Sequence, residues 1–356
     1  MPNDSSLLNP NVKILVQNKP LAAEIEADLV SVLVSEDLEA PGMFELRLIT
    51  WDLLKQEMTW VDDKLFDIGN KVEIQMGYEQ EIKTIMVGEI TGLEPEYTQD
   101  VAPILVVRGH DLRHRLLRGS HTKSFLKIKD SEIVSQIART RGITAKVTDS
   151  KVKLEYILQH NQTDWDFLKE RAKRIGYEVA MEQTTLYFRP HQNAKGKALT
   201  LTYGADLQEF LPRLSTMNQV QQVEVKGWIY QEKNKKEVSG KAEVGKEGGT
   251  MGGLTSGVKA VRKAFGESSH TIVNQPVSSK EEADSMALGQ FQDMAIAYIT
   301  GEGTCQGNPN LRAGKVIEIL GIGKRFSGLY YIKSAEHSCY PNQGYKTSFT
   351  VGRNAT

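Results

Sequence analysis

Three short stretches of this chain occur twice, in the same order. Phe44-Glu45-Leu46-Arg47 has a counterpart in Val223-Glu224-Val225-Lys226, 179 positions later. Gly69-Asn70-Lys71-Val72-Glu73-Ile74 matches Gly314-Lys315-Val316-Ile317-Glu318-Ile319, 245 positions later. Val107-Arg108-Gly109-His110-Asp111 faces Thr350-Val351-Gly352-Arg353-Asn354. One apolar-Glu-apolar match is weak, because any half-buried strand alternates that way. Three matches in one order read as a repeat. The offset grows from 179 to 245, which places 66 extra residues inside the second copy. A chain that holds one β-module twice is quasi-symmetric. Three such chains would set six similar modules in a ring, a device for meeting a six-fold partner.

A length of 356 residues allows two or three domains with a sizeable core. The net charge of −1 argues against a dedicated nucleic-acid binder, which is usually basic. No apolar run approaches the roughly 18 to 20 residues that span a bilayer. Met1-Pro2-Asn3-Asp4 lacks a basic segment followed by an apolar one, so no secretory signal is read and cytoplasmic synthesis is expected. Cys305 and Cys339 are too few for a zinc site or a disulfide framework and read as free thiols. Asn161-Gln162-Thr163 fits a glycosylation site, but without a secretory route it is a coincidence.

Residues 1–118 read as a first β-barrel module. Short runs at Val12–Val16, Leu29–Val34, Phe44–Ile49, Lys71–Met76, Ile85–Ile90 and Ile104–Arg108 are separated by Gly, Pro, Asp and Asn. Residues 119–197 change period and read as a small α/β module. Asp130 is the expected cap of one helix. Thr163 or Asp164 starts a second, whose stripe is Trp165, Leu168, Ala172 and Ile175, with Lys169, Arg171, Lys173 and Arg174 off that face. Gly176 ends it, and a hairpin follows at Tyr177–Met181 and Thr185–Arg189. The second β-barrel module is expected in 198–238 and 306–356. The stretch 239–305 between them would hold an inserted loop and helix. Gly240 to Gly266 contains eight glycines and reads as a loop that is mobile or ordered by a partner. Ser278 or Ser279 caps the long helix, with Ala287, Phe291, Met294 and Tyr298 as its stripe. The fold class is therefore mainly β with an α/β insert.

No stretch supplies a catalytic constellation. The Gly-rich run from Gly245 to Gly253 lacks the Gly-Lys-Ser/Thr ending that cradles phosphate. Glu94 and Glu96 would share one strand face, and Glu281 with Glu282 suits a helix N-terminus. Neither pair opposes two acids across a cleft, as glycoside hydrolysis requires. His110, His114 and His121 lie among Arg108, Arg113, Arg115, Arg118 and Lys123. That cluster reads as a basic connector, salt-bridged to a neighbouring subunit or facing a lumen, more readily than as a nucleic-acid contact. Phe125 alone makes no stacking platform. No catalytic, cofactor-binding or metal-binding residue is assigned, and no enzyme activity is expected.

Three further stretches belong together. Gly119-Ser-His-Thr-Lys-Ser-Phe-Leu leads into Asp130-Ser-Glu-Ile-Val-Ser-Gln-Ile-Ala. Gln159-His-Asn-Gln-Thr-Asp-Trp-Asp-Phe-Leu-Lys-Glu-Arg-Ala is followed by Ile175-Gly-Tyr-Glu-Val. Gly307-Asn-Pro-Asn-Leu-Arg-Ala-Gly-Lys-Val runs on to Phe326-Ser-Gly-Leu-Tyr-Tyr-Ile, His337, Gly344-Tyr-Lys-Thr-Ser-Phe and Arg353-Asn354. From about residue 60 onward the chain resembles the phage late-control D family of tail hub proteins. It is also similar to the N-terminal hub part of the valine-glycine-repeat spikes of contractile injection systems. The resemblance implies a non-enzymatic homotrimer of two-barrel subunits in a pseudo-six-fold ring. Such a hub joins a six-fold inner tube protein to a three-fold spike within a phage-tail-like particle. In fused spikes the chain continues past the Arg-Asn pair into a needle, whereas here it stops at Thr356. The expected partners are therefore a separate spike protein, the inner tube protein and other baseplate proteins. A peptidoglycan-binding or peptidoglycan-degrading baseplate component is the alternative.

Overall fold

The computed structural model describes residues 9–79, 81–99, 101–192, 196–229, 236–248, 251, 253, 255–277, 279–341 and 343–356. The first part holds β1 (Pro10–Val16), β2 (Lys19–Pro20), α1 (Ala23–Ala27), β3 (Leu29–Asp37), β4 (Met43–Ile49), β5 (Trp51–Asp52), β6 (Glu57–Met58), β7 (Lys71–Tyr78), β8 (Glu81–Glu96) and β9 (Ile104–Asp111). Strands form where the sequence alternates. Phe44, Leu46 and Leu48 of β4 are fully buried, while Glu45 and Arg47 between them reach solvent. With Val72, Ile74 and Met76 of β7 and Leu105 and Val107 of β9 they make the first core.

The α/β unit follows: β10 (His121–Lys129), α2 (Asp130–Thr140), β11 (Thr144–Val147), β12 (Lys153–Gln162), α3 (Asp164–Arg174), β13 (Tyr177–Glu182) and β14 (Thr185–Pro190). The Thr163 hydroxyl caps α3 by accepting from the Asp166 amide at 3.0 Å. Trp165, Leu168 and Ala172 are buried as one stripe. Two expectations change here. The α2 cap is Lys129, and Asp130 sits inside the first turn with its carboxylate on Arg171, at 2.6 and 3.1 Å. Arg171 is consequently buried between the helices instead of lying off the packed face. A buried guanidinium requires a carboxylate partner, and Asp130 meets that need.

The rest comprises β15 (Leu199–Thr202), β16 (Leu207–Leu214), β17 (Gln222–Ile229), β18 (Lys236–Glu243), α4 (Gly257–Phe265), β19 (Ser269–Ile272), α5 (Lys280–Ile296), β20 (Ile299–Gln306), β21 (Val316–Leu320), β22 (Gly328–Tyr340) and β23 (Gly344–Arg353). One thirteen-stranded sheet contains the same strand order twice: β3-β4-β9-β8-β7-β1, and β16-β20-β23-β22-β21-β15. The irregularities repeat as well. The β3–β4 ladder shifts register between Leu29 and Ser31, and β16–β20 shifts between Leu207 and Glu209. The β8–β9 ladder shifts between Ile90 and Gly92, and β22–β23 between Ile332 and Ser334. Gly69 and Gly314, both left-handed at φ 90° and 79°, donate to the carbonyls of Ile90 and Ile332 at 2.8 and 2.9 Å. The two halves differ at the last strand: β1 runs antiparallel to β7, whereas β15 runs parallel to β21.

The repeat is thus present, with one counterpart corrected. Val223–Lys226 lies in β17, which belongs to a separate three-stranded sheet with β18 and β19, and the strand matching β4 is β20. The third match moves by one residue, since Gly109 takes the place of Val351 relative to the shared bulge. Residues 215–298, between β16 and β20, form the insertion. Within the glycine-rich stretch, β18 and α4 replace the expected mobile loop. Residues 249, 250, 252 and 254 lie outside the described set. The glycines allow close approach there: a Cβ on Gly240 would stand 2.1 Å from the Ala283 backbone of α5, and one on Gly257 2.3 Å from the Tyr298 ring. The expected barrels are not seen as closed sheets. Among the described residues the strand order is open, and β3 joins β22 from Asp37↔Ser334 to Val32↔Cys339, making the two halves one sheet.

Candidate assembly surface

Most of the basic connector is paired within the chain. The Arg113 guanidinium grips Asp111 at 2.7 and 3.0 Å and donates to the Asp37 carbonyl at 2.9 Å, fully buried. Arg115 and His114 both bind Glu89, the latter at 2.8 Å, and the Glu89 carboxyl is held below its usual range by these partners despite burial. Arg141 takes Asp164 at 2.7 Å and also contacts His121. Lys123 lies over Phe125 at 4.9 Å. The internal bridges of Arg113, His114 and Arg115 fix the connector on β8 and β9.

Three of the four carboxylates considered from sequence are also engaged, and Glu281 is exposed in the first turn of α5. Glu94 pairs with Arg108 at 3.0 Å and Glu96 with Arg47 at 2.5 Å, all on one face of the sheet. Glu282 lies in the first turn of α5, capped by Ser279 and bridged to Arg174 at 2.8 Å. Cys305 is buried in β20, where desolvation pushes its thiol up to about 12, and Cys339 is half-buried on β22. Among the described residues no cluster of His, Cys, Asp and Glu could hold a metal ion, and no helix is long and apolar enough to cross a membrane.

Two polar joints hold the parts together, and sequence reading missed both. Arg312, just before β21, clamps Glu36 of β3 and donates to the Thr84 carbonyl of β8 at 3.0 Å, pinning the second half to the first. Beside it His337 is wholly buried. Desolvation, then the Arg312 charge, pulls its pKa to about 3, so the imidazole stays neutral and pairs with the Tyr345 hydroxyl at 2.8 Å. The second joint is His191, with Nδ1 3.1 Å from Glu178 of β13 and Nε2 3.2 Å from Asp293 of α5. Arg189 at 2.9 Å and the Tyr331 hydroxyl also bind Glu178. The group ties the α/β unit, the insertion and β22 together. Long-range partners of this kind leave no short motif to find.

What remains available is edge and apolar surface. Among the described residues the outer side of β16 has no strand on it, and β8 beyond Glu89 is paired only with β9. Leu211 on β16 is 62% exposed and Tyr97, just after β8, is 60% exposed. Leu53 and Leu54 stand exposed at the tip of the β5–β6 hairpin. Strand edges and isolated apolar tips of this kind bind protein chains.

A family model described as the Alg8 N-terminal domain matches residues 7–340. The chain belongs to that family. No curated protein sequence matches it. The chain is similar in fold to the 43 kDa tail protein of prophage MuSo2 from Shewanella oneidensis, at 16% identity and a TM-score of 0.70, covering 97% of this chain and 98% of that one. A tail protein from Neisseria meningitidis MC58 follows at 12% identity and 0.69, covering 97% and 96%. An E. coli protein, described as a type VI secretion component with structural similarity to T4 bacteriophage tail proteins gp27 and gp5, gives 13% and 0.62, covering 96% and 77%. The fold is therefore the one found in phage tail and baseplate proteins, in line with the tail-hub resemblance of the sequence motifs.

Proposed function

We propose that this chain is the structural baseplate hub of a contractile tail or injection system. In this reading it is a homotrimer whose six half-modules join a six-fold inner tube to a three-fold spike. Its partners are the tube protein, a spike protein and other baseplate proteins, within a phage-tail-like particle. The observation that carries the reading is the twice-used six-strand order, with two matching bulges, in a fold shared with tail proteins. Duplicated halves make a three-chain ring present six nearly equivalent rims. The absence of an enzymatic role is part of the proposal: Glu94, Glu96 and Glu282, the carboxylates that could have served a reaction, are held in internal ion pairs, which suits a scaffold. Mass photometry from micromolar concentration downward tests it. Three chains of 39.8 kDa should appear as one species of about 120 kDa. A strict monomer, both free and inside the particle, overturns the reading.

A further inference from the structure

We propose that copies of this chain join head to tail through a seam between the outer edge of β16 and the C-terminal half of β8 of the next copy, in the register the chain already uses within itself between β3 and β22. The inference rests on the trimeric reading above and goes further by naming the contact.

Inside the chain, the second strand of the first half lies on the fifth strand of the second half, with Glu36 opposite Ala335, Val34 opposite His337 and Val32 opposite Cys339. The reciprocal junction would place the second strand of the second half, β16, on the fifth of the first, β8. Among the described residues both of those edges are without a strand. The shared bulges fix the correspondence: Leu29 maps to Leu207, so Val34 maps to Pro212, and Ile332 maps to Ile90, so His337 maps to Pro95.

Transferring the register sets Leu214 against Leu93, Arg213 against Glu94, Pro212 against Pro95, Leu211 against Glu96 and Phe210 against Tyr97. The match is chemical as well as geometric. Leu93 and Leu214 are both partly buried at the margins of their cores. Phe210 already packs on Tyr330, and Tyr97, exposed in one chain, would extend that aromatic row. Arg213 has no acidic partner among the described residues, and the seam sets it beside Glu94, whose Oε1 already accepts from Arg108 at 3.0 Å, so that one carboxylate would serve both arginines. The amide of Ser215 donates to the Tyr298 carbonyl at 2.9 Å. By alternation Leu214, Pro212 and Phe210 therefore turn their backbone polar groups away from β20, toward the open edge. Pro212 thus spares the β20 ladder, and Pro95 occupies the equivalent place on β8. Opposed prolines delete one rung of the seam and leave rungs at Leu214–Leu93 and Phe210–Tyr97. An edge with a proline in its middle resists stray strands, so side chains select the partner.

The test is a disulfide across the non-hydrogen-bonded pair, Leu211→Cys with Glu96→Cys in one full-length chain, since such pairs hold their Cβ atoms within roughly 4.5–5.5 Å. Mild oxidation should give a covalent trimer on a denaturing gel, and neither single variant should. Arg213→Glu should weaken association about fivefold, and adding Glu94→Arg should restore it. A trimer by mass that neither cross-links nor responds to the charge reversal overturns the seam and leaves the trimer standing. A monomer at every concentration overturns both. Cross-linked chains that lengthen past three would uphold the seam and overturn ring closure.

Discussion

Replacing His191 with glutamine should remove a stability contribution that the wild-type protein has at pH 6 and lacks above pH 9. Burial opposes charge on this imidazole, but hydrogen bonds to Asp293 and Glu178 prevail and raise its pKa to about 9. The unfolded chain would release the same proton near pH 6.5. A raised value means the folded state holds the proton more tightly. The contribution is therefore complete below about 6.5 and fades as pH rises through 9. The gap between those values, at roughly 1.4 kcal/mol per tenfold, corresponds to about 3.5 kcal/mol. The side chain is 25% exposed, and solvent screening trims the working figure to about 2 kcal/mol. Glu178 keeps Arg189 and Tyr331 after the change, so no carboxylate is stranded. Urea unfolding of both proteins at pH 6, 7.5 and 9, followed by tryptophan fluorescence, gives the difference directly, because titrations common to both cancel. The difference should fall from about 2 kcal/mol to near zero across that range. A difference that stays constant with pH would show that His191 is not charged between its two carboxylates.

Gly69→Ala and Gly314→Ala should each cost about 1 kcal/mol, because both positions are left-handed and hold the same turn. Strongly unequal losses in chemical denaturation would deny that the turns are equivalent. Arg312→Met should cost about 3–5 kcal/mol by stranding Glu36, and adding Glu36→Leu should recover most of it. If the double variant is no better than the single, the Arg312–Glu36 pair is not what joins the halves.

The sequence made the local parts of this fold legible. Gly69 and Gly314 could be matched because a left-handed glycine followed by an alternating strand is a short-range signal. Thr163 and Ser279 were readable as caps for the same reason. The true partner of β4 was hidden by side-chain exchange. Where β4 buries Phe44 and Leu46, β20 has Gly301 and Gly303, and the rings of Phe210 and Phe349 fill the space. In the first half Phe44 does this over Gly109. Volume is conserved across the strand pair while the alternation along one strand vanishes, so Val223–Lys226 offered a better pattern in the wrong sheet. The joints at Arg312 and His191 stayed invisible because their partners lie 276, 13 and 102 positions away.

The insertion also bears on how the chain reaches this state. β3 and β4 are separated by five residues, whereas β16 and β20, their counterparts, are separated by 84. Closing the longer connection as a flexible loop would cost about 2.5 kcal/mol more in chain entropy. The first hairpin can zip locally, whereas the second needs its ends brought together. The folded insert does this, since β17 and α5 pack against each other through Val223, Val225, Ala287 and Phe291. Twin halves of one architecture are thereby given unequal kinetics. The early half can serve as a template, with β3 offering the edge on which the late half docks β22.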